Sequence, residues 1–341
     1  MRATLKDIAE ETGLSVSSVS LVLNGRPNRI SEKNRQKIIE TARKLNYRPN
    51  QNAVSLITKR SRVIGLVMPD MTNMFFAQIA KGAESRSREL GYSLILCNTN
   101  DSPEKDVDYI NVLLSQGVDG ILLVSSYRPG GESSDYDPEK EHLLEKPVVL
   151  IDRRAVGCPI GEKVSGVFAD NEVGGYLATK HLISLGHTKI GCITGPLGAA
   201  SAKNRLFGHI RALQEAGLPF DRSLVREGDF HTDSGFVMGE QLLNKGVTAV
   251  FAGNDMMAYG VYRAAGKMGL KVPDDLSIVG FDDLKFSEIV EPPLTTVRQN
   301  SREMGRNAVD KIVAMINGKE EPVFTMQPEL IVRKSTAEKV K

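Results

Sequence analysis

Residues 4–25 read TLKDIAEETGLSVSSVSLVLNG, and their spacing decides what the amino-terminal part of this 341-residue chain is. Thr4 suits the cap of a helix whose apolar positions Leu5, Ile8 and Ala9 follow i, i+3, i+4 spacing, with Asp7 in its first turn. Gly13 permits the left-handed exit that a tight helix end requires. Two residues on, Ser15 can cap a second helix that turns Val19, Val22 and Leu23 inward. Gly25 and Pro27 close it, and a third helix opens at Ser31, burying Ile38, Ile39, Ala42 and Leu45 as far as Tyr47. Two short helices joined by a glycine turn, with a third as support, predict a helix-turn-helix.

Charge points the same way. Residues 1–60 hold 12 Lys and Arg against 5 Asp and Glu, whereas the remaining 281 hold 32 against 37. A basic head on a slightly acidic body suits a head that meets a polyanion and a body with another task. The stretches ATLKDIAEETGLSVSSVSLVLNG and ISEKNRQKIIETARKLNYRPN resemble the DNA-binding headpiece of the lactose/galactose (LacI) repressor family, without a gap through the first 50 residues. The resemblance implies that the second helix lies in the major groove of a near-palindromic operator. Val16, Ser17 and Leu21 would then touch base edges, while Thr4, Ser15, Ser20 and Asn24 would hold phosphates. Phosphate contacts fix register and base contacts specify sequence. The family often carries arginine where this chain has Leu21, so the expected half-site differs from the common one. Residues 49–60, PNQNAVSLITKR, resemble the family's hinge helix, with Asn50 at its start and Leu56 wedged into the minor groove.

From Val63 onward, short apolar runs (63–68, 92–97, 120–124, 147–151, 189–194, 249–252, 276–281) alternate with amphipathic stretches (75–90, 104–116, 172–185, 203–216, 233–245, 256–268). Such alternation predicts an α/β body of two doubly wound parallel-sheet lobes, preceded by the small all-α headpiece. The expected division is 1–48 headpiece, 49–60 hinge and 61–341 core, with lobe one near 61–160 plus 293–322 and lobe two near 161–292 plus 323–335.

Several function classes are excluded or disfavoured by pattern. No apolar run approaches the ~18 residues of a membrane span, and no apolar stretch follows Arg2 as in a secretory leader. Cys97, Cys158 and Cys192 are far apart, odd in number and without metal spacing, which fits a reducing, cytoplasmic setting. His142, His181, His187, His209 and His231 are scattered without metal-ligand spacing, and GPLG at 195–198 is not a dinucleotide fingerprint. No cofactor, metal or catalysis is expected.

Polar residues instead gather where open parallel sheets bind ligands, beyond the carboxyl ends of strands. The body resembles the periplasmic sugar-binding-protein fold, and within it ribose-binding proteins, through TNMFF, IDRR, AKNR, GDF, GND, GFDD and TVRQ in order. The resemblance implies a cleft lined by Asn73, Phe75, Phe76, Asp152, Arg153, Arg205, Phe230, Asn254, Asp282 and Gln299. Aromatic faces would cover the C–H faces of a sugar, while carboxylates accept from its hydroxyls and arginines and amides donate. The expectation is a homodimeric repressor that binds double-stranded operator DNA under control of ribose or a similar pentose or hexose. Two alternatives share the architecture: a repressor needing a purine corepressor, disfavoured by the absence of tryptophan, and a catabolite-control regulator that binds a phosphorylated carrier protein.

Overall fold

The computed structural model describes residues 3–24, 29–47, 60–126, 145–153 and 160–339. It divides into two compact units, Met1–Ser61 and Arg62–Lys341. In the first unit α1 (Leu5–Thr12) begins with a reciprocal cap. The Thr4 side chain accepts from the Asp7 backbone N–H, and the Asp7 carboxylate accepts from the Thr4 N–H at 2.7 Å. Gly13, at φ 66°, ends the helix in the left-handed conformation. Ser15 then caps α2 (Val16–Leu23) by accepting from the Ser18 N–H at 3.1 Å, and Ser31 caps α3 (Glu32–Lys44).

Ile8, Ala9, Val19, Val22, Ile38 and Ala42 are buried together, ringed by Leu5, Leu14, Leu23, Ile39, Leu45 and Tyr47. The three helices therefore meet on the faces that the apolar spacing marks. Lys37 reaches across to donate to the Thr12 carbonyl at 2.9 Å, satisfying one of the acceptors that a helix end leaves open. Gly25, Pro27 and the hinge stretch 49–59, including Asn50 and Leu56, lie outside the described residues.

The second unit holds two sheets. Strands β1 (Val63–Met68), β2 (Ser93–Asn98), β3 (Gly120–Leu123), β4 (Val148–Ile151) and β5 (Val164–Ala169) form the first, alternating with α4 (Met74–Glu89) and α5 (Pro103–Ser115). The second lobe follows as α6 (Asn171–Ser184), β6 (Ile190–Thr194), α7 (Ala200–Glu215), β7 (Val225–Glu227), α8 (Thr232–Leu243), β8 (Ala249–Ala252), α9 (Asp255–Lys267), β9 (Ser277–Asp282) and β10 (Thr295–Arg298). Helix α10 (Ser301–Ile316) and strands β11 (Phe324–Met326) and β12 (Glu329–Ile331) complete the chain. Sheet order is β11-β5-β4-β3-β1-β2 in one lobe and β12-β10-β9-β8-β6-β7 in the other. Among the described strands every pairing is parallel except β10 with β12.

The inner strands β1, β3, β4, β6, β8 and β9 are buried on both faces, which is why they read as apolar runs. Along β1, Ile64, Leu66 and Met68 join one core while Val67 joins the other. In the second lobe Val250 and Ala252 face one core and Ala249 and Phe251 the opposite one.

The lobe boundaries differ from the sequence expectation. Strand β5, expected in lobe two, belongs to the first sheet, with Val164 paired to Val148. β10, expected in lobe one, pairs with β9 of the second sheet, and β11, expected in lobe two, pairs with β5 of the first. The reason is that the chain crosses between lobes only at strand–helix or strand–strand junctions: after Ala169, after Arg298 and after Met326. Ser165 and Gly166 interrupt the apolar pattern of β5, and a Cβ on Gly166 would lie 2.4 Å from the Phe168 ring.

Helices α6 and α7 lie unusually close. A Cβ on Gly175 would stand 2.0 Å from the Arg205 carbonyl oxygen, and one on Gly208 would stand 2.0 Å from that of Glu172. Both obstacles are backbone, so neither yields by a rotamer change. Gly175→Ala is therefore expected to destabilise the protein by about 1–3 kcal/mol, the usual cost of overpacking, read as a lower urea midpoint. An unchanged midpoint would show that α6 and α7 can separate freely.

Candidate functional site

In the headpiece, α2 presents Val16 (41% exposed) and Ser17 at its amino-terminal end, with Ser20 and Leu21 half-buried one turn on and Asn24 exposed at the carboxyl end. No acidic residue lies in the first turn of α2. Its N-terminal dipole is thus free to favour an anion. The hydroxyls are locally engaged: Thr4 Oγ1 donates to Asp7 at 3.0 Å, Ser15 Oγ to Ser18 Oγ at 2.9 Å, and Asn24 Nδ2 to the Ser20 carbonyl at 2.8 Å. A phosphate at these positions would have to exchange with those bonds.

In the body, one cleft lies between the lobes. It is lined by Asn73, Phe75, Phe76, Asp152, Arg153, Ser201, Arg205, Phe230, Asn254 and Asp282, and holds about 310 Å³ including the part open to solvent. Lobe one supplies Asn73, which caps α4 by accepting from the Phe75 N–H at 3.0 Å, and the edge-to-face pair Phe75 and Phe76, 5.3 Å between centroids. It also supplies Asp152 and Arg153, just past β4. Arg153 lies over the Phe76 ring at 5.3 Å and donates to Asp101 at 3.0 Å and to the Ser125 carbonyl at 3.1 Å.

Lobe two supplies Arg205 from α7, whose guanidinium is buried against the Phe281 ring at 3.8 Å. It donates through Nε to Asn171 at 2.7 Å and through Nη1 to the Gly253 carbonyl at 2.5 Å. Asn254 caps α9 and donates to the Phe230 carbonyl at 2.9 Å, which fixes the loop that carries the Phe230 ring. Gly195 leaves the space for that ring, since a Cβ there would come within 2.0 Å of it.

Three cleft residues occupy the left-handed backbone region: Asp152 (φ 61°), Phe230 (φ 69°) and Asp282 (φ 114°). Such conformations are uncommon for non-glycine residues and persist where surrounding structure enforces them. Burial pushes the Asp152 and Asp282 carboxyls above the usual carboxylate range, against the pull of Arg153 and Arg205. Burial likewise lowers Arg205, while Asp282 and Asp152 raise it. Two buried acceptors in this region, Asp152 Oδ1 and Gln299 Oε1, have no hydrogen-bond partner. Buried polar atoms are nearly always paired, so these two are set up to receive donors.

Nine of the ten residues that the sequence points to line this cleft. The tenth, Gln299, sits behind Asp282 and donates to its Oδ1 at 2.6 Å. Ser201 escaped the sequence reading although it precedes Arg205 by four residues and so shares its helix face. Asn171 escaped because β5, the strand that delivers it, was itself not legible. Asp255 was passed over within GND: it accepts from the Leu284 N–H at 2.8 Å and from the Ser287 and Thr296 hydroxyls at 2.6 and 2.5 Å. Among the described residues no group of His, Cys, Asp and Glu could hold a metal ion, and no helix is long and apolar enough to cross a membrane.

A helix-turn-helix headpiece and a two-lobed binding-protein-like body in one chain define a DNA-binding transcriptional regulator rather than an enzyme. The family description "Bacterial regulatory proteins, lacI family" matches residues 4–50, and "Periplasmic binding protein-like domain" matches residues 179–336. The chain is 39% identical over 342 residues to the HTH-type transcriptional regulator DegA of Bacillus subtilis, covering 99% of each. It is 38% identical to the HTH-type transcriptional repressor PurR of Vibrio campbellii, over 97% of this chain and 98% of that one. Among solved structures, the lac repressor dimer bound to operator and the anti-inducer ONPF matches with TM-score 0.85 at 31% identity, over 99% of this chain and 100% of that one. A LacI family transcriptional regulator from Enterococcus faecium with bound ribose matches with TM-score 0.73 at 30% identity, over 82% and 100%. The chain belongs to the lacI family of bacterial transcriptional regulators.

Burial raises Asp255 from 3.8 to about 7. Its contribution to stability is full below the unfolded value and is lost as pH rises through about 7. The melting temperature of the native chain should therefore fall relative to that of Asp255→Asn as pH is raised from 4 to 8. Parallel melting curves across that window would show that Asp255 titrates at its ordinary value.

Proposed function

We propose that this regulator is a homodimeric repressor whose operator affinity is set by a monosaccharide, ribose or a similar pentose or hexose, held between the lobes. The observation that carries the reading is the cleft itself: Asp152, Arg153, Arg205, Asn254 and Asp282 converge on a space walled by Phe75, Phe76 and Phe230. Sugar hydroxyls both donate and accept, and the unpartnered Asp152 Oδ1 accepts when the carboxyl is ionised and can also donate when it is protonated. The ribose-bound relative supports the same class.

A purine is the second reading, favoured by three phenylalanines able to stack a base.

On DNA, Val16, Ser17 and Leu21 of each headpiece would face base edges, and Thr4, Ser15, Ser20 and Asn24 the phosphates. Val16 and Leu21 offer apolar contact only, suited to a thymine methyl rather than to a guanine. Two headpieces reading a near-palindrome must sit one helical turn apart, so dimerisation through the core sets their spacing. Asn50 and Leu56 belong, on this reading, to a hinge helix that kinks the operator centre. Closure of the lobes on the sugar would alter that spacing and release DNA.

A thermal-shift comparison of D-ribose with hypoxanthine tests the ligand class. A ligand at 100 times its Kd stabilises the folded state by about 2.7 kcal/mol. Ribose should raise the melting temperature of the native chain and leave Arg205→Ala unmoved; a response to hypoxanthine alone would replace the sugar reading by the purine one. Leu56→Ala is expected to weaken specific operator binding in a fluorescence-anisotropy titration while ribose affinity stays intact. Unchanged operator affinity would remove Leu56 from the hinge role.

A further inference from the structure

Two of the three segments that cross between the lobes carry a buried amide side chain bonded to a charged residue of the cleft. After the first crossing, Asn171 accepts from Arg205 Nε at 2.7 Å through Oδ1 and donates through Nδ2 to the carbonyl of Ala169 at 3.2 Å. Ala169 is the last residue of β5, so this single side chain ties the lobe-two guanidinium to the end of the lobe-one sheet. Ala169 also pairs with Met326 of β11, and Asp170 donates to the Met326 carbonyl at 3.0 Å, which brings the third crossing into the same junction. At the second crossing, Gln299 donates to Asp282 at 2.6 Å, and its Oε1 has no partner. The next residue, Asn300, turns the chain into α10 of lobe one from a left-handed conformation, φ 54°.

We propose that Asn171 and Gln299 are positioning residues that couple the charge arrangement of the cleft to the angle between the lobes, Asn171 acting through Arg205 and Gln299 through Asp282. The structural reason is geometric. Arg205 and Asp282 are the two charged groups that lobe two turns into the cleft, and both are held by side chains rooted in the crossings rather than by neighbours within their own lobe alone. A ligand that draws Arg205 or Asp282 toward itself therefore pulls on the crossing backbone directly. Asn171 is the more sensitive of the two, since its two hydrogen bonds run in opposite directions, one to each lobe. The proposal rests on the effector-cleft reading for what occupies the cleft, whereas both bonds are contacts of the protein with itself.

The test separates the two bonds of Asn171. Asn171→Ala removes both; Asn171→Asp keeps the acceptor for Arg205 and removes the donor to Ala169. Spin labels at Lys81→Cys in lobe one and Asn244→Cys in lobe two, both exposed positions, report the interlobe distance by pulsed electron paramagnetic resonance, with Cys158→Ser in the background. In the ligand-free chain both Asn171 variants should broaden the distance distribution. Added D-ribose should bind Asn171→Ala about ten- to a hundredfold more weakly than the native chain, the range expected for losing one charged hydrogen bond, and should be rescued in Asn171→Asp. A rescued affinity with a distribution still broad is the signature of coupling, which a purely structural role does not produce. Native distance distributions in both variants, whatever their melting temperatures, would overturn the proposal. If the native chain does not bind ribose, the sugar reading fails, and the ligand-free distances alone decide the coupling.

Discussion

The body is organised around one buried cation. The Arg205 guanidinium sits out of water between the lobes, and a charge so placed is tolerated only with counter-charge and hydrogen bonds around it. Asn171, the Gly253 carbonyl and the Phe281 face satisfy it from lobe two and the first crossing. Asp152 from lobe one and Asp282 from lobe two supply the opposite charge at longer range, without direct hydrogen bonds to it among the described interactions. The carboxylates are therefore compensated electrically yet keep acceptor capacity. That division between charge balance and hydrogen-bond satisfaction is what makes the site receptive: a fully bonded Asp152–Arg205 pair would have nothing left to offer a ligand.

Local backbone geometry supports this arrangement at a cost. Asp152 and Phe230 would be more comfortable with φ below zero, and a sheet end followed by an ordinary turn would turn them elsewhere. The strain is held by neighbours that leave little choice, such as the Asn254 amide on the Phe230 carbonyl and the room that Gly195 makes for its ring. Helices α6 and α7 add to it by packing backbone against backbone at Gly175 and Gly208, which fixes the height of Arg205 above the sheet. Rigid placement of a few polar groups is what a small ligand requires for orientation.

Much of the fold was legible because its signals are local. The headpiece helices begin at Thr4, Ser15 and Ser31, where a side-chain oxygen caps each one, and the exit at Gly13 needs a conformation glycine adopts freely. Central strands such as β1 and β4 are buried on both faces, so their runs of valine, leucine and isoleucine could not be mistaken for surface. β5 was harder: Ser165 and Gly166 break its run for reasons that exist only after folding, when Gly166 meets the Phe168 ring. The lobe boundaries were misjudged for a related reason. β10 and β11 are three or four residues long, and which sheet takes them depends on pairing with β9 and β5, a long-range fact that no local pattern encodes.

The cleft was legible to a different depth. Residues at strand ends and helix caps, such as Asn73, Asp152, Asn254 and Asp282, follow from the rule that parallel sheets bind ligands beyond their carboxyl ends. Gln299 and Asn171 obey no such rule, since they act behind the wall of the cleft and belong to the crossings. That distinction bears on how occupancy can matter to DNA at all. A ligand shifts a conformational equilibrium only by the difference between its affinities for the two states. Groups confined to one lobe contribute equally whether the lobes are open or closed; only contacts made across the gap, or groups whose orientation depends on the crossings, differ between them. Asp152 in one lobe and Arg205 and Asp282 in the other satisfy the first condition, and the amides of Asn171 and Gln299 satisfy the second. On the proposed reading, the selectivity of the switch thus rests on fewer residues than line the cleft, and on two that do not line it.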